Sequence, residues 1–111
     1  MSKPQSPAII RWLRDNGMSL GVLTHHDTAA LLAATQIAAL WMHGGDREAI
    51  ATAFRNVVLE MQPHARYLAY HAIAHVGDWN NRPQLWHAAQ LPQEDLLGRP
   101  ECKFGPRKEA A

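Results

Sequence analysis

Cysteine is almost absent: Cys102 stands alone among 111 residues. Neither an intramolecular disulfide nor a cysteine-based zinc site can form within one chain. A chain that makes no use of disulfides suits a reducing compartment, so the expected localisation is cytoplasmic. An excess of charge of either sign is lacking as well. Eleven basic residues against 10 acidic ones leave a formal net charge of +1, without the global field that draws a protein to nucleic acid or to an anionic membrane. Long hydrophobic runs are missing. The longest uncharged stretch, Thr28 to Gly45, contains Thr35, Gln36 and His43 and is shorter and more polar than a membrane span. The N-terminal segment reaches Arg11 and Arg14 after only Ala8, Ile9 and Ile10, which is no apolar core of a secretory signal. A glycine-rich phosphate loop and a nucleophile elbow are both lacking, and Cys102 has no evident catalytic partner, so the chain reads as a non-enzyme.

What is present is the balance of a globular domain, 47% apolar and 19% charged. The length suits one domain, expected over residues 1–98 and followed by a basic, proline-containing tail over 99–111. In that tail Arg99, Lys103, Arg107 and Lys108 face only Glu101 and Glu109, and Pro100 and Pro106 favour an extended course.

The punctuation is helical throughout. Ser6-Pro7 and Gly17 bracket a short amphipathic helix with Ile9, Ile10, Trp12 and Leu13 on its apolar side. Thr24-His25-His26-Asp27 has the spacing of a capping box and introduces an alanine-rich helix to His43. Thr28, Thr35, Gln36 and His43 form its one polar strip, so the remaining circumference should be covered by other helices and the helix should be central. Gly44-Gly45-Asp46 ends it and caps a third helix, on which Ile50, Phe54, Val57 and Met61 recur with helical period. Pro63 opens a fourth running to about Asp78, and Pro83 a fifth carrying Leu85, Trp86 and Ala89. The expected fold is all-α, a compact bundle of about five short helices.

One constellation stands out. At about 100° per residue, His64, His71, His75 and Asp78 project from one side of the fourth helix. His71 and His75, at i and i+4, have the spacing that lets two imidazoles reach one zinc ion, with Asp78 able to add an oxygen a turn later. His64 lies about 10 Å too far along the axis to join them. The segment His71-Ala-Ile-Ala-His75 has no glutamate base and is not a metalloprotease motif. Tyr67 and Leu68 share the histidine side, whereas Ala69, Ile73 and Val76 form an apolar patch opposite, so both faces of the helix call for cover. A small chain is short of elements to supply it. The leading expectation is therefore a small non-enzymatic interaction protein that binds another protein, or a second copy of itself. The expected contact residues are Tyr67, His71, His75, Trp79, Arg82 and Trp86, two of them tryptophans flanking a possible hot-spot corner. The alternatives are zinc held by His71, His75 and Asp78, and a DNA-binding regulator using Arg11, Arg14, Arg47, Arg55 and the basic tail. Trp12 and Trp41 lie on apolar helix faces and are assigned to the core.

Overall fold

The computed structural model describes residues 8–77 and 79–97, Trp79 through its backbone alone. The Ser6-Pro7 helix start, Asp78 and the tail with Cys102 lie outside the described residues. Five α-helices follow one another among the described residues: α1 (Ala8–Asp15), α2 (His25–Met42), α3 (Arg47–Leu59), α4 (Arg66–Val76) and α5 (Arg82–Ala88). Short 3₁₀ turns occupy Pro63–Ala65, Trp79–Asn81 and Gln93–Asp95. No strand occurs among the described residues, and no helix there is long and apolar enough to cross a membrane.

Local chemistry explains the boundaries. Thr24 is extended and its hydroxyl accepts from the Asp27 amide, while Asp46 does the same for Ala49, so α2 and α3 start where a side chain satisfies a free N–H. Helix α1 ends in a full Schellman turn: Gly17, at φ +83°, donates to Arg14 O, and Met18 donates to Leu13 O. Gly44, also at φ +83°, closes α2 by donating to Trp41 O. Helix α5 uses the same Schellman geometry, but the left-handed position is Gln90, at φ 56°.

The most enclosed element is α4, where every residue from Tyr67 to Ala74 is buried. Helix α2 lies against both α3 and α4, α1 rests on α4, and α5 bridges α3 and α4. Both faces of α4 are thus covered from within the chain, contrary to the expectation that a second molecule is required there. Helix α2 departs from expectation in the opposite sense. Thr35, read as part of its polar strip, is buried and donates to Leu31 O at 2.8 Å, whereas Leu32 and Leu40 reach the surface. On α3 the core position is Val58, with Val57 only partly buried, beside Ile50, Ala51 and Phe54.

Polar joints lock the packed helices. Asp27, wholly buried, accepts from the backbone N–H of Gln62 at 3.1 Å and from its Nε2 at 3.4 Å, which fixes the start of α2 to the segment after α3. Arg66 donates to Leu59 O and Met61 O, both at 3.1 Å, and to Asp95 Oδ2 at 3.4 Å, so one guanidinium satisfies carbonyls at the C-terminus of α3 and holds the last turn. Tyr67 donates its hydroxyl to Ser19 O and ties the α1–α2 connection to α4.

Candidate functional site

The histidine stripe is shorter than the sequence implies. Pro63–Ala65 forms a 3₁₀ turn and not the first turn of α4, so His64 leaves the stripe. It sits exposed with Nε2 3.4 Å from Val22 O. His71 is wholly buried. Its Nδ1 lies 2.6 Å from Arg82 Nη1, and Arg82 is itself buried at the start of α5. A guanidinium can only donate, so Nδ1 must accept; the imidazole is neutral and carries its proton on Nε2. Aromatic rings surround the pair: Tyr70 meets His71 edge-on at 5.4 Å, Tyr67 at 6.3 Å, and the Arg82 guanidinium carbon lies 4.7 Å over the Tyr70 ring. Trp86 closes the cluster, 5.4 Å from Tyr70 and 6.4 Å from Phe54, with its Nε1 donating to Pro92 O at 3.3 Å. His75 is half-buried, edge-on to Trp12 at 5.3 Å.

The structure thus brings Tyr67, His71, Arg82 and Trp86 together, but in the interior. They hold α5 to α4, and the face expected to meet a partner is filled by the chain's own side chains. The His71 nitrogen bonded to Arg82 is committed, and a fixed positive charge stands beside it, which disfavours a cation at that nitrogen. Among the described residues no three His, Asp, Glu or Cys side chains converge as a metal site, and Asp78 lies outside them.

The expected phosphate contacts on α3 are engaged as well. Arg47 stacks 4.0 Å over the Trp41 ring, and Arg55 donates to Ala89 O at 3.3 Å and Gln90 O at 2.5 Å, the two carbonyls just beyond the end of α5. These groups line an open cleft of about 380 Å³ between α3 and α5, together with Thr52 and Glu48. Both of its guanidinium groups are therefore tied within the fold.

No known family model, curated protein or solved structure matches this chain. The surface must speak for itself.

Sequence reading placed Gln36 and His43 on an outward strip of α2 but missed the apolar residues beside them on that outer face. With Gln36 as origin and about 100° per residue, His25, Ala29, Leu32, Leu40 and His43 all fall within about 40° of it, and all are exposed. Leu32 is 36% and Leu40 55% exposed. Ala33 and Ala39 flank this arc half-buried. Asp27, the one formally charged residue of α2 apart from its histidines, points the other way and is buried. The four-residue spacing of Leu32, Gln36 and Leu40 was the available signal.

Proposed function

We propose that this chain is a small non-enzymatic interaction protein whose contact surface is the outward face of α2, applied to a helix of another protein chain. The observation that carries this reading is a helix with aliphatic side chains on every side, two of whose leucines, Leu32 and Leu40, stand in water on the outer one. An amphipathic surface helix turns charged residues outward, and a helix apolar all round is ordinarily covered. Here Ala29, Leu32 and Leu40 share the arc with Gln36, His25 and His43, and no Lys, Arg, Asp or Glu stands on it. Alanine permits close backbone approach and leucine supplies the knobs, which is what helix-on-helix packing requires.

The test is site-specific photocrosslinking in the native host, with the photoreactive residue placed at Gln36 and, as a control, at exposed Asn56 on α3. A discrete protein adduct at Gln36, absent at Asn56 and lost when Leu40→Lys is added, is the expected result. Absence of any adduct at Gln36 would overturn the reading.

A further inference from the structure

We infer that the occupant of the α2 face is a second copy of this chain, packed antiparallel about a two-fold axis that passes beside Gln36; the inference rests on the interaction reading above and names its partner.

The first argument is register. In an isologous pair, if one residue meets a second on the other copy, the second meets the first in return, and only a residue on the axis meets its own copy. With Gln36 on the axis, Leu32 of one copy meets Leu40 of the other and Leu40 meets Leu32, since both lie four residues from Gln36, so the two large exposed side chains fill each other's gaps. Ala29 and His43 lie seven residues on either side and form the next layer outward. Gln36 meets its own copy, and a primary amide is self-complementary because it offers both a donor and an acceptor.

The second argument is charge. A second copy normally brings like charges together across a two-fold axis, but the exposed arc of α2 carries no Lys, Arg, Asp or Glu. In the antiparallel arrangement the N-terminal turn of one α2 lies beside the C-terminal turn of the other, so the helix dipoles attract. A parallel pair would set like ends together.

The third argument is size. A helix of 18 residues is about 27 Å long. One helical face per copy buries less than the roughly 1,200 Å² at which stable, specific interfaces begin. Interfaces of that size belong to the weak, transient class, so the dimer is reversible, and a dissociation constant in the micromolar range or weaker is expected. That accounts for a face apolar enough to pair and small enough to stay soluble alone.

The experiment uses the full chain with Cys102→Ser and single cysteines at Leu32, Gln36 or Leu40, oxidised at about 100 µM, a concentration at which a micromolar dimer is mostly assembled. Cα atoms must come within about 7 Å for a disulfide. The two-fold places Gln36 beside its copy and Leu32 beside Leu40, but separates Leu32 from its own copy by eight residues, about 12 Å. Gln36→Cys should link to itself, an equimolar mixture of Leu32→Cys and Leu40→Cys should link at least tenfold faster than either alone, and Leu40→Lys should make sedimentation monomeric at every concentration. Faster self-linking by Leu32→Cys would overturn the antiparallel register. A monomer up to about 1 mM, where even millimolar affinities show, would overturn the dimer. If that monomer still gave the Gln36 photoadduct at a mass other than twice the chain, the interaction reading would stand and only the second copy would fall.

Discussion

Gln90 offers the sharpest test of how the helix ends are built. Helices α1 and α5 end in the same Schellman turn, yet α1 places Gly17 at the left-handed position and α5 places Gln90 there, at φ 56°. A residue with a Cβ in that region carries a penalty of about 1–2 kcal/mol relative to glycine. Introducing glycine loosens the unfolded chain and costs back about 0.5–1 kcal/mol. The Gln90 side chain is exposed, and its contribution to packing, the carbonyl accepting from Arg55, belongs to the backbone and survives the change. Gln90→Gly should therefore stabilise the protein by about 0.75 kcal/mol, the difference of the mid-values of two terms whose difference spans about 0–1.5 kcal/mol, and raise Tm by roughly 3–6 °C. The internal control is Gln84→Gly, the same chemical change six residues earlier at an exposed right-handed position of α5. There only the glycine cost remains, and stability should fall by about 0.5–1 kcal/mol. Urea unfolding of both variants reads the two signs. If Gln90→Gly were destabilising, or lost as much stability as Gln84→Gly, the left-handed assignment at α5 would be refuted.

Three further substitutions probe the interior. His71→Leu removes the acceptor of a charge-assisted bond and two edge-on ring contacts, and should cost about 2–4 kcal/mol; in a double-mutant cycle with Arg82→Met the two changes should be non-additive by more than 0.5 kcal/mol or so, and simple additivity would rule out direct coupling. Asp27→Ala strips the acceptor from the Gln62 amide and should lower stability by about 1–3 kcal/mol, against a smaller loss for Asp27→Asn, which keeps one oxygen; equal losses in urea melts would contradict the joint. Trp86→Ala empties the centre between Phe54 and Tyr70 and should cost about 3–5 kcal/mol by the same assay, whereas a loss below about 1 kcal/mol would place Trp86 at the surface.

Legibility in the sequence followed how local the governing physics is. Thr24, Asp46, Gly17 and Gly44 act within one turn of themselves, so the starts of α2 and α3 and the ends of α1 and α2 could be read from neighbours in sequence. The division of α2 into inside and outside could not. Alanine and leucine occur all round its axis and leave little amphipathic contrast, while Thr35 satisfies its hydroxyl on Leu31 O and thereby behaves as a core residue. The histidine side of α4 misled for a related reason. A stripe of imidazole and phenol looks like a surface until a donor is supplied, and here the donor to His71 is Arg82, eleven residues away on another helix. Its position follows from the packing of α5 against α4 and from no periodicity. His64 failed as a stripe member because Pro63 begins a 3₁₀ turn, which changes the angular register before α4 starts.

Helix α1 has a consequence for motion. It is eight residues long and is held chiefly by Ile9, Ile10 and Leu13 against α4, with the Trp12–His75 ring contact at its edge. An isolated helix of that length does not persist in water, so once those side chains part from α4 the whole element melts as a unit. Amides of α1 should therefore exchange with deuterium through a partial opening well below the free energy of global unfolding, while those of Leu68 to Ile73 wait for the entire bundle. The species formed by that opening has lost the ring cover of His75, so this end of α4, half-buried in the ground state, is fully displayed intermittently and at a rate that the grip of α1 controls.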